Sequence, residues 1–237
     1  MNVSKTNITS INKKYIFKTD LTQLFNLLNV KKFFFMLILI NLLIQIAITY
    51  YIHINFDNFE ITKDSNRRRL LIIGAHVLSF VFVFILGLFP MPIWLKFILF
   101  SLFSVTMGII LEDIKTIIDE ETIKTLFIGT ISIFVSLFAF GLALIKSNIM
   151  LTYKFSLSLF FALLLLLLGI IVQYFIYSSS ILTKIVTLLT LLVFSVYIVY
   201  TTNIILQRDY SNDFITASLD YYLELFNILI ALLYTRK

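Results

Sequence analysis

A bundle of seven membrane-spanning α-helices is the fold class this sequence predicts, and three observations predict it. The 237 residues are 60% hydrophobic and 14% charged, where a soluble domain is about half apolar and a quarter charged. The apolar residues fall in continuous runs of helical length, not in the short alternating segments of a barrel. The connections between the runs are short, so the helices must satisfy their backbones within a compact bundle.

The spans follow in order. Residues 1–32 form a basic tail, with Lys5, Lys13, Lys14, Lys18, Lys31 and Lys32 against Asp20. Within it, Leu21–Leu28 reads either as an amphipathic surface turn or as the start of the first helix. The membrane domain is expected over 33–237. Its first span, 33–54, is too long and too far from the N-terminus for a cleaved signal peptide. Residues 55–69 read as a polar loop ending in Arg67-Arg68-Arg69, before a second span over 70–89. Pro90-Met91-Pro92 breaks the chain, because proline ends helices and biases the residue before it to extended geometry. A third span covers 93–111, and Glu112–Glu121 reads as a solvated acidic loop with helical ends. Spans four to seven are expected over 123–145, 155–177, 181–206 and 214–234.

Orientation follows from the basic residues. They divide almost evenly between the two sides, so the first helix decides, and it places the N-terminus in the cytosol. Asn2-Val3-Ser4 and Asn7-Ile8-Thr9 match the glycosylation pattern and would then go unused.

Composition also excludes. There is no cysteine, so disulfide and thiolate chemistry are absent. The net charge of +6 is placed as a topology signal and not as a nucleic-acid surface. No zinc-protease, serine-elbow or phosphate-loop motif is present. With two histidines, a catalytic zinc site is not expected. The chain reads as a non-enzyme, without a cofactor.

The residues that stand out are two carboxylates in the last span, Asp220 and Glu224. Either one, unpaired at the bilayer centre, costs about 3 kcal/mol on insertion scales. At about 1.5 Å per residue, Glu224 lies about 15 Å in from Phe214, near the midplane. Asp220 lies one turn shallower on the same face. Such acids face a partner, a water-filled cavity or an ion. The structural alternative is that both only hydrogen-bond to other helices. His76, inside the second span, is either a pH-sensitive partner for Glu224 or a neutral imidazole bonded to a nearby carbonyl or hydroxyl. Arg67–Arg69 could reach a carboxylate, though a cluster snorkelling to anionic lipid is the simpler reading. Asn41, Gln45 and Gln173 read as interhelical hydrogen-bonding groups. Asp209 and Asp213 read as caps of the last helix.

Along the last two spans the chain reads Tyr200-Thr201-Thr202-Asn203 and Ala217-Ser218-Leu219-Asp220-Tyr221-Tyr222-Leu223-Glu224-Leu225-Phe226-Asn227. These stretches, with Phe89-Pro90-Met91-Pro92, Phe103 to Gly108 and Gly129-Thr130, resemble the transmembrane Bax-inhibitor-motif family. That family includes the lifeguard and Golgi anti-apoptotic proteins. The resemblance implies a seven-helix fold, suppression of cell death and a calcium leak gated by pH through aspartates on the last two helices. Glu224 matches the seventh-helix aspartate. Thr201 matches the sixth-helix aspartate and cannot ionise.

The residues suggest a replacement. Thr201 lies about 8 Å in from Leu206, and Asp220 about 9 Å in from Phe214, so the two are nearly level. Asp220 and Glu224 would form a coupled pair that titrates as a unit, with Thr201 and Asn203 donating hydrogen bonds. With Asn227 and water they would offer a calcium ion some of its oxygens. The expected function is a pH-sensitive calcium (cation) leak channel of an endoplasmic-reticulum or Golgi type membrane with a cell-death-suppressing role. Calcium enters as permeant ion only. The alternative is a non-conducting interaction protein that inhibits apoptosis through apoptosis-regulating membrane proteins. The lipid bilayer is the partner in both.

Overall fold

The computed structural model of the chain describes residues 29–59, 63–115, 118–147, 149–173, 179–208, 210 and 212–235. Seven helices among these are long and apolar enough to cross a membrane. They are α1 (Lys32–Asn55), α2 (Ser65–Leu88), α3 (Ile93–Lys115), α4 (Glu120–Lys146), α5 (Tyr153–Ile171), α6 (Ser180–Gln207) and α7 (Phe214–Tyr234). No strand occurs among the described residues. The seven-helix bundle is the observed fold.

Short polar side chains set the helix starts, each accepting a backbone N–H that the first turn leaves without an internal partner. Asp64 accepts from Asn66 at α2, Asp119 from Thr122 at α4, Ser179 from Leu182 at α6 and Asp213 from Thr216 at α7. Asp213 is thus the cap the sequence predicts. Ahead of it Asn212 has φ 65°, a left-handed geometry that asparagine tolerates better than most residues. Phe89, before Pro90, is extended (φ −99°, ψ 125°), as the proline requires.

Two boundaries differ from expectation. Arg67–Arg69 lie inside α2 and not in a loop, because the Asp64 cap starts that helix at Ser65. Glu112 is not solvated, since α3 runs on to Lys115 and buries it completely. The α-helical part of α5 ends at Ile171 and residues 172–173 continue it in π geometry, while the expected end at 177 lies outside the described residues. Leu21–Leu28, the two glycosylation patterns and Asp209 also lie outside them.

Helix α7 is the inner element. It packs against α6, α1, α4 and α3, and buries 67% of its most apolar window, against 11% for α5. Its two adjacent tyrosines pack to different sides. Tyr222 meets Phe100 and Phe103 edge-on, and Tyr221 meets Phe134 and Phe138, geometries aromatic rings favour. Close approach of the helices is set by glycine. A Cβ at Gly141 would come within 2.7 Å of Thr202 Cβ, and one at Gly108 within 2.6 Å of the Thr49 carbonyl oxygen. Gln45 bonds Ser101 and Ser104 across α1 and α3, and Gln173 bonds Thr183. The outward faces carry large apolar side chains such as Leu70, Phe80, Leu165 and Leu188. This exterior suits lipid and not water.

Candidate ion site in the last helix

The site is assembled by α6 and α7, joined by a short turn and packed against one another. At its entrance the Lys96 ammonium bonds the Asp213 carboxylate and the Thr216 hydroxyl. Burial alone would push the Asp213 carboxyl up. The Lys96 hydrogen bond and the hydroxyl and N–H of Thr216 outweigh it, so Asp213 stays below the ordinary carboxylate range. Lys31 closes the same end, donating to the carbonyls of Ile205, Leu206 and Arg208 at 3.1, 3.1 and 2.9 Å. A cation there complements the C-terminal end of α6.

Deeper in, consecutive threonines of α6 meet residues one turn apart on α7. The Tyr221 hydroxyl donates to Thr202 Oγ1 at 2.8 Å. The Thr201 hydroxyl donates to Glu224 Oε1. Glu224 is 5% exposed, and its Oε2 is buried with no hydrogen-bond partner among the described residues. On the other side of α7 the Tyr222 and Thr49 hydroxyls share a hydrogen bond. The structure therefore brings Glu224 and Thr201 together, as their levels along the helices predict.

The remaining expected members go elsewhere. Asp220 is partly buried and accepts from the Tyr210 hydroxyl at 3.4 Å, with no hydrogen bond to Glu224 or Thr201. Burial first, and then the Asp220 charge, push the Tyr210 phenol well up. Asn203 does not donate to an acid. Its amide donates to the Ile149 carbonyl at 2.8 Å, and its Oδ1 accepts from Leu151 N–H and Gln207. It fastens the turn between α4 and α5. The Asn227 amide donates to the Leu223 carbonyl of its own helix at 2.7 Å. His76 is exposed on α2, with Nδ1 2.9 Å from the Ile72 carbonyl oxygen, which is the bland alternative weighed for it. Among the described residues no group of three or more His, Cys, Asp or Glu side chains could hold a metal. Calcium takes about six to eight oxygens, so Glu224 and Asp220, with different partners, do not form a ready-made calcium cage.

A second buried carboxylate escaped the sequence reading. Glu112 of α3 accepts from Arg68 Nη2 at 2.9 Å, and its Oε2 lies 3.4 Å from His53 Nδ1 of α1. His53 is 1% exposed and Glu112 is fully buried. Arg68 also reaches Asp57 at 3.1 Å and lies over the Phe56 ring. Two of the three arginines therefore reach carboxylates, Arg68 these two and Arg67 the exposed Asp64 of its own helix start at 3.4 Å. The cluster around Arg68 joins three helices that no spacing along the chain connects. Lys96 was missed for the same reason.

A comparison with curated proteins finds no match. The sequence description of the family "Bax1-I: Inhibitor of apoptosis-promoting Bax1" matches residues 29–235, which takes in every helix described above. With seven apolar helices around a buried α7, the chain is a multi-pass integral membrane protein of the anti-apoptotic Bax-inhibitor type, and it belongs to the Bax1-I family.

Proposed function

We propose that the chain is a slow, pH-sensitive cation leak, for calcium, across an intracellular membrane of the endoplasmic-reticulum or Golgi type, with its N-terminus in the cytosol. One observation carries this reading: Glu224, near the middle of α7, has one oxygen bonded to Thr201 and the other without a partner. A carboxylate held in this way can exchange a proton without breaking an ion pair. Its charge then decides how a cation is received at the bilayer centre. Thr201, a hydroxyl where the related proteins carry an acid, orients Glu224 and adds no charge of its own. The reading assigns no enzymatic reaction and no cofactor. Suppression of cell death follows from a lower calcium load in the organelle.

The test is calcium flux into dye-loaded liposomes across pH 5 to 8, for the wild-type chain and Glu224→Gln. The expected result is a pH-dependent flux in the wild type that is lost or made pH-insensitive in the variant. Folded protein that gives no flux above protein-free liposomes would overturn the leak. It would move the function to contacts with apoptosis-regulating membrane proteins.

A further inference from the structure

We propose that the cleft between α5 and α7, floored by α6, is a binding site for one anionic phospholipid, independent of the Glu224 site. Helix α5 packs on α6 and stands away from the bundle centre. The space it leaves against α7 has a volume of about 640 Å³, within the range of small-molecule sites. Its walls are leucines and isoleucines, among them Leu166 and Ile230. It adjoins a second space of about 980 Å³ that opens toward Ser180 and Lys184. Gln173, Thr183, Thr187 and Tyr234 line both, so the two are one cleft.

Its length fits one acyl chain. From Ser180 at the mouth to Thr190 at depth, α6 rises about 15 Å, half of a hydrocarbon core of about 30 Å, so the cleft spans one leaflet. Thr183, Thr187 and Thr190 recur at helical spacing on one face of α6 and line the floor. Thr183 and Thr190 are bonded to carbonyls of their own helix. Thr187 is 8% exposed, and its hydroxyl has no hydrogen-bond partner among the described residues. It is placed to donate to the ester carbonyl region of a lipid lying in the cleft.

The mouth has the chemistry of a phosphate site. Lys184 is exposed and has no carboxylate partner among the described residues. It stands one turn from the N-terminal end of α6, whose N–H groups and dipole favour an anion. Ser180 and Tyr234 add hydroxyls at the same level. A phosphodiester held there by Lys184 places its acyl chain along the apolar walls. A lysine at a water-facing mouth alone would be a snorkelling side chain. The Thr187 hydroxyl behind it opens into the cleft from a residue otherwise packed away, where a bound lipid would meet it.

The test is native mass spectrometry of the full-length chain released from bilayers holding equal phosphatidylserine and phosphatidylcholine. The wild type is expected to carry one phosphatidylserine in preference to phosphatidylcholine. Lys184→Gln is expected to lower that preference about fivefold, the effect of one basic side chain on an anionic lipid. Thr187→Phe, which fills the cleft, is expected to release the lipid. Lys154→Gln, at an exposed lysine of α5 near the opposite face, should change nothing, and Lys184→Gln sits on the surface and leaves the fold intact. A wild type without lipid, or without preference, would overturn the site. So would a Lys184→Gln protein that behaves as wild type, or a Lys154→Gln protein that loses as much.

Discussion

Glu112 and Glu224 are both glutamates withdrawn into the bundle, 0% and 5% exposed, and they are held in opposite ways. Glu112 sits between a guanidinium and an imidazole from two other helices. Glu224 has one hydroxyl on one oxygen and, among the described residues, no hydrogen-bond partner on the other. Burial alone therefore does not mark a working carboxylate. A glutamate held by a guanidinium is a fixed clamp, and removing its charge breaks an ion pair. A glutamate supported only by a hydroxyl can gain or lose a proton while its neighbours stay in place. The first kind ties α1, α2 and α3 together, and the second is the one the proposed leak would use.

The sharpest way to break the comparison is Glu112→Ala. Removing Glu112 leaves the buried His53 ring without its acid and Arg68 with Asp57 alone, and is expected to cost about 3 kcal/mol, read as a loss of thermal stability in micelles. Glu224→Gln should leave stability within about 1 kcal/mol, since a neutral amide still accepts the Thr201 hydrogen bond. Equal losses from the two would erase the distinction. Next in size is Gly108→Ala, one turn before Glu112 on α3. Its methyl would meet the Thr49 carbonyl at 2.6 Å and Ile52 Cβ at 2.8 Å, pushing α3 from α1 and Glu112 from His53. Overpacking of this kind costs about 1–3 kcal/mol, and it should appear as lower stability with the pH profile of flux unmoved.

A smaller effect is expected at Thr201. Thr201→Val removes the hydroxyl that donates to Glu224 and should cost about 1 kcal/mol, while shifting the pH profile of flux. Thr201→Ser should restore it, and a valine variant with the wild-type profile would separate Thr201 from control. The smallest effect is at Asp213. Its folded carboxyl lies below the ordinary range, so its stabilisation is complete above its unfolded value, about pH 4. That stabilisation is lost as pH falls through the lowered folded value. Melting temperatures between pH 3 and 5 should fall less steeply in Asp213→Asn, which keeps an acceptor for the cap. Parallel slopes would detach Asp213 from the acid response.

The membrane architecture was legible because each span is a long apolar run bounded by prolines, caps or charges. Asp213 could be read as a cap from its position alone. Glu224 and Thr201 could be brought level by counting rise along two helices joined by a short turn. Counting along one helix places Asp220 beside Glu224 on α7, but it cannot show the hydroxyl that Tyr210 brings to Asp220 from the preceding turn. Asn203 was given to the acids although it faces the α4–α5 turn. The cluster of His53, Arg68 and Glu112 was illegible for a deeper reason. Each residue stands near a helix end, where polar side chains are ordinary, and only packing makes them neighbours.

The inner position of α7 bears on how the chain is made. It is the most buried of the seven spans and carries the two intramembrane acids, yet it follows six other spans in order of synthesis. A segment with two acids is poorly received by lipid alone. The slot lined by α1, α3, α4 and α6 must therefore be standing when α7 leaves the ribosome. Helix α7 is then inserted into protein more than into bilayer, as a docking step. Mutations that loosen the earlier helices would be felt first as failure to seat the last one.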